Sequence, residues 1–124
     1  MKKRTGVSFE AFRRIALSFP GVEEGTSYGT PAFRVQGKFL ARLREDNETL
    51  AIKCGFEQRD LRMQADPKTF FTTDHYHGYP TVLVRLAAVT SADVRDVFEQ
   101  TWRRHAGKRL IASYLTASPS AKKP

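Results

Sequence analysis

Between residues 26 and 54 the chain carries four short runs of alternating apolar and polar side chains, cut by tight-turn sequences, and this pattern restricts the fold more than any other feature. The runs occupy residues 26–28, 32–36, 39–44 and 49–54, separated by Gly29-Thr30-Pro31, Gln36-Gly37-Lys38 and Glu45-Asp46-Asn47-Glu48. A period of two is that of a strand with one face inward, and connections this short join antiparallel neighbours. The segment therefore reads as an antiparallel meander. Its inner face is predicted to carry Phe33, Val35, Phe39, Ala41, Leu43, Leu50, Ile52 and Cys54, leaving Arg34, Arg42, Arg44 and Lys53 outward. Residues 81–86 form a β-branched run that adds a strand, with Val82, Val84 and Leu86 on one side and Leu83 and Arg85 on the other. Residues 68–72 read as a further extended stretch.

Helical spacing frames this sheet. Phe9, Phe12, Ile15, Ala16 and Phe19 recur at three- and four-residue intervals after Ser8, a good N-cap, and Pro20-Gly21 stops the helix. Residues 57–65 form a short helix ended by Asp66-Pro67. Thr90 followed by Asp93 starts a third helix with core positions Val94, Val97, Phe98, Thr101 and Trp102, and Gly107 suits its end. Residues 108–115 form a last short helix. Helices and antiparallel strands together predict an α+β fold, a two-layer sandwich with helices packed on one face of the sheet.

With 124 residues this is one domain, and a chain of that size buries about two thirds of its unfolded surface, enough to fold without a disulfide or structural metal. The domain is assigned to residues 8–116, with solvated tails at 1–7 and 117–124. No run reaches the roughly 18 apolar residues of a membrane span, the basic start has no apolar run after it, and Cys54 is the single cysteine. A cytoplasmic protein is expected, with no membrane partner and a monomer favoured. The net charge is +8, but Lys2, Lys3, Arg4, Lys122 and Lys123 lie in the tails and their removal leaves +3. Distribution therefore matters more than the total. Every acidic residue falls in a predicted helix or turn and none in a predicted strand, while all charges after Glu99 are positive.

Phe19-Pro20-Gly21, Tyr28-Gly29-Thr30-Pro31-Ala32-Phe33-Arg34, Gly37-Lys38-Phe39, Gly78-Tyr79-Pro80 and the Val-Leu-Val-Arg-Leu strand resemble, in order and spacing, the MmcQ/YjbR family of small bacterial proteins. The likeness runs over residues 8–115. It implies a two-layer fold like that of frataxin-type (CyaY-like) proteins and, from the family's usual description, DNA binding without an established catalytic activity. Two segments depart from the family: Gly78-Tyr79-Pro80-Thr81 runs into the strand where many members carry a Lys-x-His-Trp-like stretch, and Gly107 stands where relatives often have Pro before the Lys-Arg pair.

Two functional readings follow. In the first, Arg34, Lys38, Arg42, Arg44, Lys53 and Arg85 form a basic sheet face that neutralises phosphates, with Tyr28, Tyr76 and Tyr79 nearby as stacking groups and Arg103, Arg104, Lys108 and Arg109 extending it. Nucleic acid is the partner, with little sequence specificity. An outer sheet face must be polar in any case, and cations also guard it against aggregation. In the second, a small-anion or protein-interaction pocket forms where Tyr28, Arg34, His75, Tyr76, His77 and Tyr79 converge. In an extended segment His75 and His77 would project to one side at metal-ligand spacing, but too few further ligands are near, and no metal or other cofactor is expected. The first helix sets Glu10 against Arg13 and Arg14, so no acidic ridge supports iron handling. Cys54 reads as a buried hydrophobe. Gly-rich phosphate loops, a nucleophile elbow and paired helical histidines are missing, and a non-enzymatic function is expected.

Overall fold

The structure, a computed structural model, describes residues 5–117; residues 1–4 and 118–124, including the basic tail residues, lie outside it. Helix α1 (Phe9–Leu17) starts where the Ser8 hydroxyl accepts the Ala11 amide at 3.0 Å. Four strands follow, β1 (Val22–Ser27), β2 (Thr30–Val35), β3 (Lys38–Leu43) and β4 (Thr49–Ile52), and then α2 (Phe56–Ala65). The chain continues through β5 (Phe70–Phe71), β6 (Val82–Arg85), α3 (Ser91–His105) and α4 (Lys108–Ala117). The six strands lie in the order β1-β2-β3-β4-β6-β5, every neighbouring pair antiparallel. The fold is thus the α+β arrangement that alternation and helical spacing predicted.

Side chains from the inner face of the sheet, Phe33, Val35, Leu50, Ile52 and Val84 among them, join Phe12, Phe98, Trp102 and Tyr114 of the helices in one core. Phe12 meets Phe33 and Phe98 edge-on at 5.6 and 5.5 Å between ring centres, a geometry that pairs ring edge with ring face. The Phe19-Pro20-Gly21 turn locks α3 and α4 to this core. Phe19 packs on Trp102 and Tyr114, and Trp102 Nε1 donates to the Pro20 carbonyl at 2.9 Å. Gly21 has φ +75, and a Cβ there would stand 2.6 Å from Leu110 Cδ1.

Four expectations are corrected. β1 begins at Val22, so Glu23 and Glu24 are strand residues and the strands are not free of acids. Glu24 is tolerated because Arg13 of α1 donates to both its oxygens, at 2.8 and 2.9 Å. The turn after β1 is Tyr28-Gly29, not Gly29-Thr30-Pro31: both residues have positive φ, 53° and 78°, and Ser27 pairs with Thr30 across a two-residue hairpin. The β2–β3 register slips beside Arg34, where Phe33 pairs with Ala41 but Arg34 with Phe39. Leu40 is the extra residue of this bulge, and both Leu40 and Ala41 are buried in the core. Phe39 is thereby turned to the outer face, and Lys38 to the helix side, where its Nζ donates to the His105 carbonyl at 3.3 Å. Finally, the packed fold takes in residues assigned to the N-terminal tail. Gly6 and Val7 donate to the carbonyls of Val89 and Leu86, each at 2.8 Å, and Val7 is buried.

Candidate functional site

The strand register sorts the basic residues. Arg42 is opposite Ala51, and Ala51 opposite Leu83, so these side chains share the outer face. Lys53 lies two positions beyond Ala51, and Arg44 and Arg85 two positions beyond Arg42 and Leu83. Arg34, opposite Phe39, completes the set. Five of the six candidate sheet cations therefore face one side, and Lys38 does not. Glu23, opposite Arg34, adds an acid at the β1 edge.

A concavity of about 610 Å³ opens on this face. Arg34, Arg42 and Lys53 line it, with Phe39 and Ala51 from the strands. Tyr28 borders it from the β1–β2 turn, and His75, Tyr76 and Tyr79 from the segment between β5 and β6. Arg42 is the buried anchor. Its Nη1 donates to Thr30 Oγ1 at 3.1 Å and its Nη2 to the Tyr76 hydroxyl at 3.2 Å and Glu45 Oε1 at 3.5 Å. The guanidinium also lies 5.2 Å from the Tyr28 ring centre, and that of Arg44 lies 5.3 Å from the Tyr76 ring. Burial works against the Arg42 charge, and the bonds to Tyr76 and Glu45 outweigh it, so its pKa is raised. Glu45 is held below the usual carboxylate range, first by a backbone hydrogen bond and then by Arg42. Glu45 is the one carboxylate against three lining cations, which leaves the concavity net positive. Among the described residues Arg34 and Lys53 form no ion pair, and Arg34 makes only 3.4 Å contacts to the Thr26 carbonyl.

The aromatic wall depends on a residue that sequence reasoning missed. Arg59 of α2 is buried, and its Nη1 donates to the His77 and Tyr79 carbonyls at 2.8 and 3.0 Å. With the Gly55 amide donating to Pro80 O at 2.9 Å, this folds the segment as turns, Tyr76 N bonding Thr73 O and Tyr79 N bonding Tyr76 O. The extended geometry expected for the segment carrying His75 and His77 is therefore corrected. His75 lines the concavity and packs against Tyr76 at 4.9 Å, whereas His77 is exposed and does not line it. No group of three or more metal-ligating side chains forms among the described residues. An Arg at one position of an otherwise amphipathic helix carries no sequence signal that its target is a carbonyl 18 residues away.

The C-terminal cluster belongs to the helix layer. Arg103 pairs with Glu99 at 3.1 Å and lies over the Tyr114 ring, while Lys108 and Arg109 are exposed at the start of α4. Arg104 lies over Gly55, where a Cβ would come within 3.0 Å of its Cζ. None of the four lines the concavity. Cys54 is fully buried, and burial pushes its thiol up to about 11, the condition of an inert cysteine.

The sequence matches the family model described as YjbR over residues 17–104. The chain belongs to the YjbR family. The YjbR match takes in all six strands, α2 and every residue lining the concavity, and ends before Lys108 and Arg109. The chain is also similar to uncharacterized proteins of Mycobacterium bovis and Mycobacterium tuberculosis. Each is 40% identical over 53 residues, which is 43% of this chain and 41% of the relative. The matched stretch is thus less than half the length of those curated relatives.

Proposed function

We propose that this YjbR-family chain binds nucleic acid, DNA in the first instance, through the outer face of its sheet, contacting phosphates with little sequence specificity. The observation that carries the reading is that Arg34, Arg42 and Arg85 of β2, β3 and β6, with Arg44 and Lys53 just beyond the ends of β3 and β4, lie on one side of the sheet. Cations fixed on a rigid sheet neutralise phosphates and release counterions, which makes affinity fall steeply with salt. Arg103, Arg104, Lys108 and Arg109 lie in the helix layer and are left out of this footprint. A small-anion pocket is the second reading, favoured by the concavity itself.

The test is fluorescence anisotropy with labelled single- and double-stranded DNA across a salt series. The protein carries Gln at Lys2, Lys3, Arg4, Lys122 and Lys123, so that tail charge contributes nothing. Micromolar binding with a log-log slope of several ions supports the reading. Absence of binding, with the fold intact by circular dichroism, sinks it.

A further inference from the structure

The outer face holds more than phosphate binding requires. A surface that only tracks a backbone needs exposed cations, yet this one is indented, and its indentation is walled by rings. Tyr28 is 84% exposed at the hairpin tip, in a left-handed conformation that Asn or Gly adopts at lower cost. Tyr79 is 56% exposed, and its ring lies 6.5 Å from that of Tyr76. The bulge at Leu40 turns Phe39 out of the core toward the same space, whose floor includes the small Ala51. Arg34 and Lys53 stand at this space without ion pairs among the described residues. Aromatic walls, a small apolar floor and two uncommitted cations complement a planar ring that carries an anion. The volume lies within the roughly 300–1,000 Å³ of small-ligand sites.

We propose that the concavity is a site for one unstacked nucleobase with its phosphate, the ring against Tyr28 and Tyr79 and the phosphate at Arg34 and Lys53. This rests on the reading of the outer face as a nucleic-acid surface and deepens it: the preferred target is a base outside a duplex stack. The same chemistry is offered by a free nucleotide and by an exposed base of a single strand. In either case stacking supplies the preference, since every base presents a π-face.

The experiment compares four probes by titration against the full-length chain: adenosine 5′-monophosphate, ribose 5-phosphate, a labelled single strand, and an abasic strand of the same length. The strand with bases should bind about tenfold or more tightly than the abasic strand, because its charge is equal and only stacking differs. Tyr79→Ala should bring the two strands within about twofold while leaving the salt slope unchanged. Tyr28→Ala, at an exposed turn, provides a second variant should Tyr79→Ala not fold. Equal affinity for the two strands, with the salt slope retained, overturns the base site but not the phosphate surface. Binding of adenosine monophosphate over ribose phosphate without binding of either strand supports the base site, makes the free nucleotide its source and removes the polyanion reading. No binding of any probe overturns both.

Discussion

Arg59 and Cys54 show how burial decides what a side chain does. Arg59 has its donors on two carbonyls of the segment that walls the concavity, so its guanidinium acts as a structural clamp. Arg59→Ala is expected to leave those carbonyls without a partner and to cost about 2–3 kcal/mol, with loss of protection concentrated in residues 73–80. Hydrogen exchange followed by mass spectrometry checks this; loss spread evenly over the chain would contradict the clamp. For Cys54 the folded thiol is pushed up to about 11 by burial, above the roughly 8.5 of an unfolded thiol. A group whose folded pKa is raised contributes stability that is complete below the unfolded value and is lost as pH rises through the folded one. Stability should therefore fall between about pH 8.5 and 11 by up to about 3 kcal/mol more in the parent than in Cys54→Ala. Urea midpoints of the two proteins at pH 7 and pH 10.5 measure the difference.

At the scale of elements, one connection lies within the sheet and one ties a helix to the core. The β1–β2 hairpin closes on Tyr28-Gly29 with both φ positive, where Asn-Gly is the favoured pair. Tyr28→Asn should raise the melting temperature by a few degrees, a gain of roughly 0.5–1 kcal/mol, while weakening nucleic acid binding. Calorimetry and anisotropy on the same preparation test both halves, and a stabilised variant that binds as before would remove Tyr28 from the site. On the other layer, Trp102 ties α3 to the Phe19-Pro20-Gly21 turn by its bond to the Pro20 carbonyl. Trp102→Phe loses that bond and some ring volume, and we expect a destabilisation of about 2–3 kcal/mol with an unchanged denaturant slope.

For the whole molecule, the separation of the basic groups into an outer sheet face and a helix layer yields the sharpest test. Arg42 is unsuitable for it, because its bonds to Thr30, Tyr76 and Glu45 hold the fold as well as any ligand. Arg34 is tied only by its 3.4 Å contacts to the Thr26 carbonyl, and among the described residues neither it nor Lys53 forms an ion pair. Arg34→Gln combined with Lys53→Gln should lower the log-log salt slope for single-stranded DNA by about 1.4, whereas Lys108→Gln with Arg109→Gln should leave it unchanged. The reverse pattern, read from anisotropy at several salt concentrations, would move the interface to the helix layer.

Much of this architecture was written locally. Alternation between residues 32 and 54, the Ser8 and Thr90 caps and the spacing of Phe12, Phe98 and Trp102 specify strands, helix starts and core, because each depends on neighbours within a few residues. The family resemblance, carried by short motifs in order, was legible for the same reason. What tertiary structure decided is the geometry of the candidate site. A one-residue bulge, invisible to a period of two, turned Phe39 outward and Leu40 inward, because the register depends on the partner strand. Lys38 went to the helix side with the same slip, and Glu24 entered a strand because Arg13 of α1 meets it there. Arg59 became the clamp of an aromatic wall 18 and 20 residues further on. The sequence by itself determined which elements form and which residue types they present; only the packing of strand on strand and helix on sheet, which sums contacts between distant residues, decided which of those side chains share a face and surround one space.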